Sequence, residues 1–431
     1  MRWWKKRMGC MRSYRLLTTL LTPVLPLWIG WRRLRGKEDG ARIGERFGHA
    51  ALARPTGTLL WLHAASVGEA NSVLLLIANI RERFPAIHIL LTTGTVTSAR
   101  LMQARLPKGV IHQYAPVDTP GAVGRFIRHW QPDIAFWVES EFWPNLIHTT
   151  HESDCFMGVI NARLSEKSFR SWNKHPAMIG ELLSCFDIVF AQSVDDGKRL
   201  QALGAKHVLS VGNLKYDAAL LPCDEEELLR MKNAVGNRPV WLAASTHPGE
   251  EAVAAQTHRL LGAARPDLLT IIVPRHPERG PAIADMLRKD FRVRVRSQGE
   301  AITADTQIYV ADSLGELGLF YRLCTIVFVG GSLAARGGQN PLEPARLSCA
   351  VIAGPHTHNF ADMYAEMEKI GGCLRAENAK ELAAHIDRLM KDPAQRDAMQ
   401  NTVRRWMEGK SGSTERVLAE LAPVFNPKGT A

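Results

Sequence analysis

The sequence of 431 residues predicts an α/β protein made of two doubly wound parallel sheets in series. Three observations predict it. Short apolar, β-branched runs alternate with amphipathic stretches along most of the chain. Within those runs successive positions are apolar, the pattern of strands covered on both faces rather than one. At this length the chain exceeds what one core fills, and 46% apolar with 23% charged residues is a globular composition. Sheets of this kind bind ligands outside the carboxyl ends of their strands, so the turns that follow strands are where chemistry is expected.

The first element is a basic leader. Residues 1–37 hold Arg2, Lys5, Lys6, Arg7, Arg12, Arg15, Arg32, Arg33, Arg35 and Lys37 and no acid. Without these ten, the 54 basic residues fall to 44 against 43 acidic ones, so the net charge of +11 belongs to the leader. The body is left with no nucleic-acid footprint, and the leader points to an anionic membrane surface. Between Arg15 and Arg32 lie sixteen uncharged residues, LLTTLLTPVLPLWIGW. As a straight helix they rise about 24 Å, short of a hydrocarbon core of ~30 Å. Pro23 and Pro26 weaken a straight span, while Trp3, Trp4, Trp28 and Trp31 suit the interface. With no small-residue cleavage site, the leader is expected to stay as an anchor, either a short span or a dip into one leaflet. Seven cysteines without a C-x-x-C pair fit a reduced, cytosolic body without structural zinc.

After a charged linker at 36–48 the alternation begins. Strands are expected at 58–64, 88–93, 110–114, 133–138, 156–160, 188–191 and 207–211, with helices to about Phe84, over 98–106 and over 121–130. Glu69, in Ser66-Val67-Gly68-Glu69, enters a helix just after the first strand. There a carboxylate either stabilises its own helix or serves as a general base at the strand-end crevice. Glu139 and Glu141 follow the fourth strand beside Phe142 and Trp143, as paired acids or as a first helical turn. Arg163, in the polar run 161–172, is either part of a solvated face or of a cationic lip for an anionic acceptor. Lys215 follows the last strand of this half; a lone lysine there is ordinarily surface.

The second half repeats the logic. A helix over 224–232 joins the halves, and strands are expected from Val240, over 268–273, 307–310, 326–329 and 350–353. Ser245-Thr246-His247-Pro248-Gly249-Glu250-Glu251 is a strand end feeding a capped helix. Pro274 and Arg275 end the next strand, and Arg275 is a surface arginine or a phosphate ligand. Gly315-Glu316-Leu317 form a loop-to-helix turn suited to a base or ribose. The run IVFVGGSLAARGGQNPLEPA at 326–345 opens as a buried strand and continues into Gly330, Gly331, Gly337 and Gly338. It then has the grammar of a helix start, with Asn340 as N-cap, Pro341 first and Glu343 at capping-box spacing around Leu342. Unpaired N–H groups at such a loop suit a phosphate. Walker and dinucleotide fingerprints are absent, and the histidines lack metal-ligand spacing.

Eight motifs in order give these turns a common origin: LHAASVGE (62–69), VESEFWPNLI (138–147), NARLS (161–165), GNLKYD (212–217), STHPGEE (245–251), PRHPER (274–279), FVGGSLAARGGQNPLEPA (328–345) and GPHTHNF (354–360). Together the chain resembles the Kdo transferases of lipopolysaccharide synthesis, which move 3-deoxy-D-manno-octulosonic acid (Kdo) from CMP-Kdo to a lipid A precursor. The resemblance implies a GT-B architecture, two Rossmann-like domains facing a cleft, with an N-terminal membrane anchor at the cytoplasmic face of the inner membrane. It implies an inverting transfer with no metal and no cofactor beyond the donor itself. By motif, Glu69 resembles the catalytic base, and Glu139 and Lys215 resemble transition-state stabilisers. Pro274, Arg275, Gly315, Glu316, Leu317, Asn340, Pro341, Leu342 and Glu343 resemble the CMP-binding positions, and Ser66, Gly68 and Arg163 are placed with the acceptor. The expected division is an anchor at 1–37, an acceptor domain at 38–218, a CMP-sugar domain at 219–410, and a terminal helix and tail at 411–431. The alternatives are another nucleotide-sugar transferase or a sugar-nucleotide epimerase of the same architecture, or a tethered nucleotide-binding scaffold.

Overall fold

The computed structural model describes the backbone of residues 2–426 and the side chains from residue 11 on, so Trp3 and Trp4 lie outside the described side chains. The chain divides into two compact units, residues 1–218 with 410–431, and residues 219–409.

The first unit is a parallel sheet of seven strands: β1 (Leu59–His63), β2 (His88–Thr93), β3 (Ile111–Tyr114), β4 (Ile134–Val138), β5 (Phe156–Ala162), β6 (Ile188–Ala191) and β7 (Val208–Ser210). Their order is β3-β2-β1-β4-β5-β6-β7. Every residue of β1 and β4 is buried, as uninterrupted apolar runs require once helices cover both faces. The order reverses direction between β1 and β4, where His63 lies opposite Trp137. At that point the connections leave to opposite sides and open a crevice at the strand ends.

β3 is an edge strand, and a salt-bridged pair closes it. Arg42 donates to the His112 carbonyl at 2.9 Å, and the Tyr114 N–H donates to Glu45 at 2.7 Å. Arg42 and Glu45 are themselves joined through two hydrogen bonds, so the linker supplies the side-chain equivalent of another strand.

The leader forms one helix, Arg2–Leu21, a single turn at Thr22–Val24, and a second helix, Leu25–Leu34. Pro23 and Pro26 sit in first turns, where a missing N–H costs nothing. Among the described residues no helix is long and apolar enough to cross a membrane. One side of the leader packs on the first unit: Met11 and Ile29 are buried, and Arg32 and Arg46 both bind the Glu38 carboxylate. The other side exposes Leu16, Leu17, Leu20, Leu21, Val24, Leu27, Trp28, Trp31 and Leu34.

The second unit repeats the plan with β8 (Val240–Thr246), β9 (Leu269–Pro274), β10 (Val293–Val295), β11 (Ile308–Val310), β12 (Ile326–Val329), β13 (Ala350–Ala353) and β14 (Cys373–Arg375). Their order is β10-β11-β9-β8-β12-β13-β14, all parallel, with the reversal between β8 and β12. β10 and β14 have three residues each and were not expected from the sequence; runs as short as VRV and CLR carry no periodicity.

The last helix, Ser413–Phe425, belongs to the first unit rather than standing apart. Val417, Leu418, Leu421 and Phe425 join the core beneath β1 and β4. Asp217 takes the place of a cap, accepting from Gly412 N at 2.7 Å and Thr414 N at 2.6 Å.

Candidate active site

The first unit collects its polar residues at the β1/β4 reversal. Ser66 caps the helix Val67–Ser72: its Oγ accepts from Glu69 N and donates to Glu69 Oε1 at 2.6 Å, while Ala65 N donates to Oε2 at 2.8 Å. This is a capping box with one change: the returning N–H belongs to Ala65 rather than to the cap residue. Glu69 is only 7% exposed. Burial pushes its carboxyl up to about 7; the negative charges of Glu141 and Glu139 add to the rise, and Ser66 and Ala65 oppose it. Ser66 and Gly68 are exposed at the mouth of this turn.

Glu139 adopts a left-handed backbone, φ 63°, directly after β4. A non-glycine residue pays for that conformation in local strain, and such outliers gather at functional turns. Its N–H is held by the Ile160 carbonyl at 2.9 Å, and its carboxylate is paired with the Lys215 ammonium. Lys215 is positioned by two asparagines: Asn213 accepts from its N–H at 2.9 Å, and Asn161 accepts from Leu214 N at 3.0 Å. Glu141 accepts from the Trp143 indole N–H at 2.6 Å. The Ser140 hydroxyl donates to the Arg163 carbonyl, which joins the Arg163 loop to the acid turn. Glu69, Glu139, Glu141 and Lys215, scattered over 147 positions from 69 to 215, therefore come together, with Ser66 and Gly68 at the helix start that carries Glu69 and Arg163 on the adjoining loop.

His63, the last residue of β1, is a core histidine, as its lack of metal-ligand spacing suggests. Buried against Trp61, Trp137 and Trp143, it bonds Thr92 Oγ1 through Nδ1 at 3.0 Å, and burial lowers it to about 4. It is a neutral ring packed in the core.

In the second unit the turns after β8, β9 and β12 converge. Pro274 lies opposite Thr246, and Arg275 N donates to the Thr246 carbonyl at 2.9 Å. The Arg275 guanidinium makes no hydrogen bond or ion pair among the described residues, and the His247 and His276 rings stack edge to face beside it at 5.9 Å. Gly330 approaches the Ser245 carbonyl so closely that a Cβ would sit 2.4 Å from it.

Here the structure corrects the reading of the glycine run. Its N–H groups are not open. Glu250, 2% exposed, accepts from Gly331, Ser332, Leu333 and Ala334, at 2.7, 3.1, 2.9 and 3.1 Å, and from His247 N at 2.8 Å. An internal carboxylate fills the anion nest. The helix start is also displaced. The helix is Leu342–Arg346, five residues long, with Pro341 as its N-cap; Asn340 still accepts from Leu342 N at 3.0 Å and lies near Glu343, Nδ2 to Oε1 3.5 Å. The Asn340 oxygen thus makes the bond the sequence expected of an N-cap, to the second residue on, and Pro341 between them has no N–H to leave unpaired. The Glu316 carboxylate is engaged within the unit: its two oxygens are taken by Arg296, itself bound to Glu227 at 2.8 Å. Arg296 holds the Glu316 carboxyl below its ordinary range. Gly315, at φ 88° with open space where a Cβ would be, and Leu317 complete this turn. The helix from Glu250 also lacks the side-chain cap expected of this turn: its N-cap is Gly249, and Glu250 instead turns back to His247 N. Among the described residues no cluster of three or more His, Cys, Asp or Glu is placed to hold a metal ion.

Comparison with known proteins follows the same division. A family model described as 3-deoxy-D-manno-octulosonic-acid transferase (kdotransferase) matches residues 41–218. The chain is 39% identical to a probable mitochondrial 3-deoxy-D-manno-octulosonic acid transferase of Arabidopsis thaliana, over 89% of this chain and 88% of that one. It is 35% identical to the 3-deoxy-D-manno-octulosonic acid transferase of Haemophilus influenzae, over 96% of this chain and 98% of that one. Among solved structures, a UDP-GlcNAc 2-epimerase from Neisseria meningitidis superposes with a TM-score of 0.57 at 14% identity, over 85% of this chain and 99% of the other. A glycosyltransferase from Rickettsia africae gives 0.53 at 14% identity, over 87% and 100%. At that identity these two structures speak for the fold alone, the GT-B arrangement of two parallel seven-stranded sheets.

Proposed function

The chain belongs to the 3-deoxy-D-manno-octulosonic acid transferase family and is a Kdo glycosyltransferase, and from that premise we propose the course of its reaction. The donor is CMP-Kdo, the acceptor a lipid A precursor, and the transfer inverts the anomeric carbon. Glu69 takes the proton of the acceptor hydroxyl as its oxygen bonds to that carbon. The bond from the anomeric carbon to the phosphate oxygen breaks, and CMP leaves with the electron pair. The observation that carries this reading is a buried carboxylate whose proton affinity is raised to about 7 at a sheet reversal, the condition a general base needs near neutrality.

Glu139 and Lys215 are assigned to the oxocarbenium-like transition state, whose positive charge a carboxylate stabilises while the ammonium keeps that carboxylate in place. Arg275, with Pro274, the Gly315-Glu316-Leu317 turn and residues 340–343, holds CMP. Because the Glu316 carboxylate is engaged, its contribution to nucleotide binding comes from its backbone. Because Glu250 fills the nest, the phosphate meets the side chain of Arg275 rather than the glycine N–H groups. Ser66, Gly68 and Arg163 face the acceptor. No metal or cofactor enters the scheme, as a monophosphate rather than a diphosphate departs.

The leader lies in the plane of the cytoplasmic face of an inner membrane. Leu27 and Leu34 are 76% and 88% exposed, and Arg32 and Arg35 stack over Trp28 and Trp31, as side chains at a lipid–water interface do.

Incubation with CMP-Kdo and a lipid A precursor tests the reading: CMP release must require both. Release without the lipid would replace transfer by epimerisation or hydrolysis. Glu69→Gln is expected to lose turnover by about a hundredfold or more while still binding CMP; turnover near the parent's would remove Glu69 from the role of base.

A further inference from the structure

The leader does more than touch the body. The helix Pro144–His151, which begins where the acid turn 139–143 ends, has no side-chain cap of its own, because its N-cap is Trp143. Asp118 caps it from a distance, accepting from Leu146 N at 2.8 Å and Asn145 N at 3.2 Å. Two leader side chains complete this cap. Tyr14 donates to the same Asp118 carboxylate at 2.9 Å, and Thr18 Oγ1 accepts from Asn145 Nδ2 at 3.0 Å while donating to the Tyr14 carbonyl at 2.9 Å. Asn145 Nδ2 also donates to the Asp118 carbonyl at 2.7 Å and is 3% exposed. Met11 adds an apolar contact by joining the buried cluster of Phe142, Leu146 and Ile147.

The chain of contacts runs from the leader into the site without a gap. Trp143 binds Glu141 through its indole N–H, and Phe142 is fixed in the same cluster as Met11. Glu139, two residues before Glu141, sits in a backbone conformation that holds only while its surroundings enforce it. A simple membrane foot needs none of this polar network. Buried hydrogen bonds to a carboxylate specify one geometry, whereas apolar contact alone tolerates sliding.

We propose that the first leader helix is a positioning element of the active site: Tyr14 and Thr18, through Asp118 and Asn145, set the helix start that aligns Glu139 and Glu141 with Glu69. This rests on the assignment of those carboxylates to the reaction. It makes acceptor transfer sensitive to how the leader is seated, so that the same element that meets the lipid surface also aligns the acids.

The test separates alignment from anchoring. Tyr14→Phe/Thr18→Val removes both polar ties and keeps their volume. In detergent micelles with dispersed acceptor, kcat is expected to fall about tenfold, with KM for CMP-Kdo unchanged and co-sedimentation with phosphatidylethanolamine–phosphatidylglycerol vesicles unchanged. The rising limb of the pH–rate profile moves to lower pH, because acids that swing away no longer raise Glu69. Leu20→Ser/Leu27→Ser is the converse: vesicle binding falls, and micellar kcat stays at the parental value. A parental kcat and pH profile in the double variant overturns the proposal. Should the double variant lose its cooperative melt, Tyr14→Phe alone decides, with about a threefold fall in kcat expected and none overturning the proposal. Glu69→Gln, assayed beside them, keeps the two readings apart. An active Glu69→Gln with a slowed double variant sinks the base assignment alone; an inactive one with an unaffected double variant sinks the alignment alone.

Discussion

Glu69 and Glu250 are the same residue type in the same kind of place, the start of the helix after the first strand of a sheet, and the structure uses them in opposite ways. Glu250 is saturated by five backbone N–H groups. Glu69 receives one backbone N–H and one hydroxyl, with two other carboxylates nearby. The difference is testable by pH. Glu69 is raised from 4.5 to about 7 in the folded protein, so folding favours its protonated form. That contribution to stability is complete below the unfolded pKa and is lost as pH rises through about 7. Glu69→Gln should therefore gain stability relative to the parent between pH 5 and pH 8, by up to roughly 3 kcal/mol, read from urea melts at the two pH values. A difference that stays flat over that range contradicts the raised acidity. Activity should rise with the same ionisation. Glu250→Gln presents an amide to donors that need an acceptor, and is expected to destabilise the protein by about 3 kcal/mol or more in urea. Arg275→Ala should weaken CMP binding about tenfold in calorimetry and leave the melt unchanged.

At the level of elements, three junctions hold the first unit in its working shape, and each uses side chains where regular structure ends. Arg42 and Glu45 close the edge of β3, Asp118 caps the helix after the acid turn, and Asp217 caps the returning terminal helix. The terminal helix also contributes Phe425 against Phe84 and Glu415 against Arg83. The exposed ion pair adds little, and the apolar face and the cap carry the attachment. Asp217→Ala should cost about 1–2 kcal/mol, seen as a lower urea midpoint with first-unit amides of the last helix exchanging faster. Since Asp217 lies two residues after Lys215, the same variant tests whether the terminal helix supports the lysine: a slower kcat is expected beside the stability loss.

Over the whole molecule, one architecture appears twice and is put to two uses. Each sheet reverses once, and each reversal carries the unit's polar turns: the acids after β1 and β4, the glycine loop and Arg275 around β8, β9 and β12. Each seven-stranded unit encloses apolar core of its own, so ligand effects can be located by unit. CMP added to the intact protein should slow amide exchange at 275, 315–317, 340 and 342–343; protection confined to 59–83 would move the donor site to the first unit.

Much of this was legible before any coordinates. The strands, their alternation with helices and the turns to watch follow from local pattern, since a strand buried on both faces must be apolar throughout and a helix start must be capped. The basic leader and its apolar stretch were equally plain, because charge and hydropathy add along the chain without reference to folding. What the tertiary structure alone decided was the electrostatic state of individual groups. Burial and two carboxylates some seventy positions away raise Glu69, and Lys215, beyond β7, meets Glu139, just after β4. A distant glutamate, not a phosphate, takes the glycine N–H groups, and Arg296, twenty positions before Glu316, shows no part in the pattern until it is seen on that carboxylate. The physical reason is range: hydrophobic periodicity is set by neighbours three and four residues apart, whereas a charge answers to whatever folding brings within a few ångströms of it.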